Sequence, residues 1–276
     1  MTRKLSSSSR DSIEDISVYY QSNQEENRSS IQQLEFVITE KILDHSIKPN
    51  SEILEIGAGA GHYTSFLAEK NHQLTVIELV PELNLKNQSH LITKKLDHLV
   101  QFLTGDAREI SGQLHQQFDC ILVMGPLYHL TEVDDRRDLM KNLTRCLKVG
   151  GLMMTTHLSR VGLIGYMLTR FPTWGIDSPH EAAEILTQGY LPKHPRNGQF
   201  RGYFTTPEEI RQMHTEQGLS DPQLHSQDPC IGSVDELFNR LPPEMKQSWS
   251  ELLFQVSADP MALGSGRSLL AVSRKK

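Results

Sequence analysis

Short apolar runs alternate along the chain with stretches in which apolar side chains recur every three or four positions. Ile53, Leu54 and Ile56 form the first run, broken only by Glu55, and read as a buried parallel strand. From Tyr63 to Ala68 a helical pattern begins, with Phe66 and Leu67 on one face. Gln73 to Leu79, Val100 to Asp106, Phe118 to Met124 and Leu152 to Leu158 give four further strands. Helices are predicted between them, from Pro81 to about Leu96 and from Asp134 to Leu147, the latter with Leu139, Met140, Leu143 and Leu147 on one face. A helix from Ser29 to His45 precedes the first strand. Repeated strand–helix alternation predicts an α/β fold of Rossmann-like type, a mostly parallel sheet with right-handed crossovers and helices on both faces.

The alternation stops at Ser159. Residues 159–204 hold Trp174 and four prolines beyond Arg170, and this length exceeds an ordinary connection. The segment reads as a helical cap inserted after strand five, over the ligand edge of the sheet. Thr206-Pro207-Glu208-Glu209 is a helix start with proline in the first turn. Leu219 to Gln227 is a candidate sixth strand, Val234 to Val256 is largely helical, and Ser268 to Arg274 is a closing strand. The expected division is a tail and lid at 1–28, a cofactor-binding core at 29–158, the cap at 159–204, and the rest of the core at 205–276.

Composition narrows the class. Of 276 residues, 37% are hydrophobic and 22% charged, with a formal net charge of −6. This describes a soluble globular protein, and the acidity weighs against a nucleic-acid partner. Cys120, Cys146 and Cys230 are widely spaced and odd in number, which suggests reduced thiols and a cytoplasmic protein. No apolar run approaches the roughly 18 residues that span a membrane. The polar, serine-rich Met1–Ser12 reads as a disordered tail and not as a secretory signal. Arg136 and Arg137 beside Asp134 and Asp135 read as a solvated helix face. The histidines show no metal-ligand spacing, and no metal is indicated.

Gly57, Gly59 and Gly61 follow the first strand and lead into a helix. Glycines let the backbone turn tightly and lie against a ligand, and the helix presents unpaired N–H groups to it. Dinucleotides and S-adenosyl-L-methionine both bind at this edge of such a fold. The dinucleotide fingerprint G-x-G-x-x-G fails at its third glycine, where His62 stands. Glu78 ends the second strand, where a carboxylate accepts from ribose hydroxyls of either ligand. Asp106 ends the third, where a carboxylate can accept from an adenine amine; the alternative is an ordinary Gly-Asp turn.

Taken together these stretches resemble the class I S-adenosylmethionine-dependent methyltransferases. Glu55-Ile56-Gly57-Ala58-Gly59-Ala60-Gly61 resembles their first motif, Val76-Ile77-Glu78-Leu79 the next, and Gly105-Asp106-Ala107 the adenine-contacting one. Phe118-Asp119 through Gly125-Pro126-Leu127-Tyr128-His129-Leu130 resembles the fourth-strand motif of bacterial small-molecule enzymes of the methyltransferase-domain 11/25 type. Leu147-Lys148-Val149-Gly150-Gly151 is similar to their turn before strand five, with Val149 in place of proline. The resemblance covers about residues 30–160 and the closing strand. It implies seven strands with the last antiparallel, S-adenosyl-L-methionine as cofactor, and methyl transfer to a small or medium-sized metabolite at an O, N or C atom. It also implies cofactor contacts from Tyr20, Arg28, Glu55, Gly57, Ala58, Gly59, Gly61, Glu78, Leu79, Asp106, Ala107, Met124 and Gly125.

Gly125 has no side chain where amine-methylating relatives of this motif carry Asn or Asp, which disfavours nucleobase-amine and amide acceptors. Tyr128 is a candidate acceptor-pocket wall, or packs against the cap. His129 and His157 are the candidate general bases, each with a structural role as the alternative. Tyr19, Tyr20 and Arg28 are candidate lid residues, with Tyr19, Tyr128, His129 and His157 reaching the acceptor. The rival readings are an RNA or protein methyltransferase, a silent cofactor-binding regulator, and an NAD-dependent oxidoreductase, the last disfavoured by His62. Oligomeric state is not legible.

Overall fold

The computed structural model describes residues 16–20, 32–190, 200, 202–229 and 234–276. Residues 16–20 are helical. The chain then runs through α1 (Gln33–Ser46), β1 (Glu52–Ile56), α2 (His62–Glu69), β2 (Gln73–Glu78), α3 (Pro81–Lys94), β3 (Val100–Thr104), α4 (Ala107–Ile110), β4 (Phe118–Val123), α5 (Pro126–His129), α6 (Val133–Cys146) and β5 (Leu147–Ser159). Beyond β5 come α7 (Gly162–Arg170), α8 (Trp174–Asp177), α9 (Pro179–Gln188), β6 (Phe204–Thr205), α10 (Pro207–Thr215), β7 (Gln223–Ser226), α11 (Asp235–Asn239), α12 (Pro243–Val256), α13 (Pro260–Leu263) and β8 (Ser268–Arg274).

The strands form one sheet in the order β3-β2-β1-β4-β5-β8-β7. The pairings of β1 with β2 and β4, of β2 with β3 and of β4 with β5 are parallel, and β8 runs antiparallel to β5 and β7. The fold is therefore Rossmann-like with a reversed closing strand. Eight strands replace the seven expected. The addition is the two-residue β6, which pairs with Leu158 and Ser159 because β5 runs on past the point where its apolar pattern ends. The turn expected at Lys148–Gly151 lies inside β5, with Gly150 at a φ of 75° and its N–H donating to the Lys275 carbonyl.

Side chains alternate across the strands, so each face buries its own set. Ile53, Leu122, Met154 and Leu270 meet Leu34, Ile38 and Ile42 of α1 and Leu67 of α2 on one side. Leu54, Ile56, Ile121, Val123 and Met153 meet Leu139, Met140 and Leu143 of α6 on the other. Thr206 caps α10 in a capping box with Glu209. Cys120 and Cys146 are buried, and Cys230 lies outside the described residues. No helix among the described residues is long and apolar enough to cross a membrane.

Arg136 does not lie on a solvated face. It is buried, donates to the Leu130 and Thr131 carbonyls at 2.5 and 3.0 Å, and stacks 3.6 Å from the Tyr203 ring centre. Helical spacing points it inward beside Met140, and the carbonyls ahead of α6 supply partners that no sequence pattern announces.

A polar chain crosses the sheet between β5, β8 and α10. The Thr155 hydroxyl lies 2.7 Å from His157 Nε2 and 2.8 Å from His214 Nε2, and His214 Nδ1 lies 2.7 Å from Ser273 Oγ. Burial holds His214 down to about 4, against Asp221, which favours its charge. An unfolded histidine gains its proton near 6.5, whereas the folded one stays neutral. The stability from this histidine is therefore fully present above pH 6.5 and is lost as pH falls toward 4, with roughly 2 kcal/mol gone by pH 5. His214→Gln should flatten the fall in urea midpoint between pH 7.5 and 5 by about that amount; an unchanged slope would exclude His214 as its source.

Candidate functional site

The carboxyl ends of β1, β2, β3 and β4 stand side by side and keep their ladder one residue beyond the strands. Gly57 N donates to the Ile77 carbonyl at 2.8 Å, Gly105 N to the Glu78 carbonyl at 2.9 Å, and Met124 N to the Ile56 carbonyl at 3.0 Å. Along this edge runs a cavity of about 740 Å³, within the range of small-molecule sites. The stretch from Gly57 to Gly61, Glu78, Leu79, Asp106, Ala107, Met124, Gly125 and His129 all line it.

The turn between β1 and α2 tolerates no side chain at two points. Gly57 has a φ of +72°, and a Cβ there would come within 2.6 Å of Pro126 Cδ. Gly61 has a φ of +90°, and its Cβ would overlap the buried Asn87 amide at 2.0 Å. The backbone is thereby exposed to a ligand on one side and packed on the other. His62 turns away from the turn: Nε2 lies 2.8 Å from Glu40 Oε1 and the ring packs against Phe36.

Glu78 reaches back across this turn. Its Oε2 accepts from Gly59 N at 2.8 Å and its Oε1 from Val80 N at 3.0 Å. Its carboxylate also lines the cavity, between the turns after β1 and β2. Glu55 lies beneath the turn and outside the cavity lining, completely buried. Its Oε2 accepts from Thr64 at 2.7 Å, and Asn87 donates to the same hydroxyl at 2.9 Å. Glu55 Oε1 has no hydrogen-bond partner among the described residues. Burial pushes Glu55 up to about 7, opposed by the Thr64 hydrogen bond and aided by Glu78.

Asp106 caps α4 by accepting from Arg108 N at 2.8 Å, and the Arg108 side chain folds back onto it at 2.6 Å. The other arm of Arg108 meets Asp135 at 2.6 Å. Burial acts against this guanidinium, yet the hydrogen bonds and charges of Asp106 and Asp135 outweigh it and raise its pKa. Asp135 is thus also drawn off the expected solvated face.

At the β4 end the cavity reaches Met124, Gly125 and His129. His129 is buried, with Nε2 2.7 Å from the hydroxyl of Tyr20, which also lines the cavity. Tyr128, Tyr19 and Phe200 surround this pair: Tyr128–His129 centroids are 4.6 Å apart, His129–Phe200 5.5 Å and Tyr19–Phe200 5.6 Å. Tyr19 and Tyr128 back this cluster and are not in the cavity lining. His157 is not brought to the cavity; it is sealed between β5 and α10 beside His214, and burial, His214 and Arg136 hold its pKa well below the ordinary value. Arg28 lies outside the described residues.

Sequence reasoning did not single out Arg108, Phe36 or the polar stripe Lys86, Ser89, His90 and Thr93, all in the lining. The stripe has helical spacing on α3, but the same pattern marks any solvated helix face. Arg108 carried one signal, its position two residues after an acidic N-cap.

Comparison with known proteins follows the geometry. Residues 53–151 match the family model described as a methyltransferase domain. Nodulation protein S of Sinorhizobium fredii is 34% identical over 106 residues, 38% of this chain and 47% of that protein. A ubiquinone biosynthesis O-methyltransferase of Xanthomonas campestris is 29% identical over 114 residues, 41% of this chain and 45% of that protein. The chain spans about half the length of these curated relatives. The structure of a methyltransferase from Streptomyces caelestis superposes with a TM-score of 0.56 at 16% identity, covering 96% of this chain and 98% of that one. Residues 53–151 therefore resemble a methyltransferase domain, and the fold is one shared with solved S-adenosylmethionine-dependent methyltransferases. The cradle has the features such a cofactor needs: bare backbone at Gly57 and Gly61, and carboxylates on two adjacent strand ends.

Gly57→Ala should lower stability by roughly 2–4 kcal/mol, the sum of a left-handed residue and an overpacked contact. Thermal or urea unfolding checks this, and a wild-type midpoint would show that Pro126 can move aside.

Proposed function

We propose that this chain is an S-adenosylmethionine-dependent methyltransferase acting on a small or medium-sized metabolite. The observation that carries the reading is the continuity of one cavity from the Glu78 and Asp106 carboxylates, past the glycine turn, to His129. In this reading Glu78 accepts from the ribose hydroxyls. Asp106 accepts from the adenine amine, with the Ala107 backbone and Leu79 flanking the base. Backbone groups of Gly57, Ala58, Gly59 and Gly61, and the carbonyls of Met124 and Gly125, meet the amino-acid end, with Glu55 buried below them and Tyr20 on the lid side. When bound, the cofactor supplies a sulfonium methyl group whose bonding electrons stay with sulfur on departure.

Positioning supplies most of the rate, because the methyl group arrives already activated. His129 takes the proton of an acceptor hydroxyl, with Tyr128 packed behind its ring and Tyr19 behind Tyr20. His157, locked between Thr155 and His214, supports β5 and leaves the base role to His129. Three features favour a small acceptor: a cavity of small-molecule size, the missing side chain at Gly125, and the net charge of −6, which opposes binding of RNA. The segments at 1–28 and 159–204 act as lid and cap over the core at 29–158 and 205–276. The odd number and wide spacing of Cys120, Cys146 and Cys230 support a cytoplasmic setting.

Calorimetry should show S-adenosylmethionine or S-adenosylhomocysteine binding and NAD not binding. Glu78→Ala should weaken that binding by at least about 1.5 kcal/mol, the worth of hydrogen bonds to a charge; unchanged affinity would remove Glu78 from the ribose site. His129→Asn should lower kcat by roughly 10²–10⁴ while cofactor affinity holds. Turnover retained across pH would exclude it as the base.

A further inference from the structure

We infer that the acceptor is an aromatic alcohol and that the Tyr20 phenol occupies its place in the structure described here. This rests on the methyl-transfer reading above. The Tyr20 hydroxyl lies 2.7 Å from His129 Nε2. That separation falls within the roughly 2.6–3.2 Å a general base needs from the hydroxyl it deprotonates. The site therefore already holds a phenol in the position of a reactant, supplied by the chain itself.

The surroundings select a ring. Tyr20 meets the His129 ring edge-on with centroids 5.3 Å apart, and Tyr128 and Phe200 approach the same imidazole at 4.6 and 5.5 Å. Tyr19 closes the set against Tyr20 at 5.2 Å and against Phe200 at 5.6 Å. These are the spacings at which aromatic side chains attract one another, and a planar ligand in the place of the Tyr20 ring packs on the His129 and Tyr19 rings that Tyr20 packs on. The helix at 16–20 puts both Ile16 and Tyr20 into the cavity lining beside His129, so an entering phenol competes with Tyr20 for one nitrogen. The acceptor oxygen then stands where the Tyr20 oxygen stands, and its proton passes to His129 Nε2.

The competition has a readout that does not require turnover. With the protein saturated in S-adenosylhomocysteine, calorimetry should detect 2-naphthol and catechol, and should find benzylamine and benzoate at least tenfold weaker. Tyr20→Phe keeps the ring and removes the competing hydroxyl, so 2-naphthol should bind about fivefold tighter, the worth of one neutral hydrogen bond. A residue that merely packs would leave the affinity unchanged or weakened, and either result overturns the inference. Benzylamine or benzoate binding as tightly as 2-naphthol overturns it as well. S-adenosylhomocysteine bound without 2-naphthol overturns the acceptor class alone. Failure of wild-type protein to bind S-adenosylhomocysteine overturns the parent reading and this one with it.

Discussion

The ligand edge depends on how Glu78 closes the glycine turn. One carboxylate joins Gly59 N and Val80 N, so the turn after β1 and the turn after β2 are fixed to each other by two charge-assisted hydrogen bonds. Only a backbone without Cβ atoms can lie this close, because Pro126 fills the space at Gly57 and Asn87 the space at Gly61. The cavity is the room left over when these three constraints are met together. It does not require a special loop: the parallel register of β1 with β2 and β4 brings the pieces into line.

Buried charge is handled in two ways around this frame. Arg108 is shared between Asp106 and Asp135, which leaves one guanidinium facing two carboxylates at the adenine end of the proposed site. On the far side, Arg267 meets Glu35 at 2.8 Å and lies 3.8 Å from Asp235 and 3.9 Å from Asp228. Burial pushes Asp228 up to about 7 there, with Arg267 pulling it down and Glu35 adding to the rise. That cluster ties α1 to β8 and α11. Breaking such a pair leaves an uncompensated charge in the interior. The leading helix and the C-terminal strands are therefore held to one arrangement by electrostatics as well as by apolar packing.

The aromatic cluster at the other end of the cavity is assembled from three distant parts of the chain. Tyr20 comes from the helix ahead of the core, Tyr128 and His129 from α5, and Phe200 from the segment before β6. The segments that build this cluster lie outside the strands whose ends line the rest of the cavity, so a fold of this kind can change one without the other.

Local pattern determined the sheet and the cradle. The apolar runs located β1 to β5 and β8, most cleanly β4, where all but one of the residues are buried and few polar positions remain. The glycine spacing with Glu78 and Asp106 pointed to the sheet edge where the cavity lies, because only glycine meets a left-handed turn in close contact and because strand ends in a parallel sheet gather at one edge. Tertiary structure alone decided what the histidines and arginines face. His129 and His157 both follow apolar strand segments, yet one opens to the cavity and the other is sealed beside His214. Asp135 and Arg136 read as surface charge, and distant partners, Arg108 and Tyr203, drew them inside. A side chain's environment is set by elements far away in sequence, and no local period encodes them.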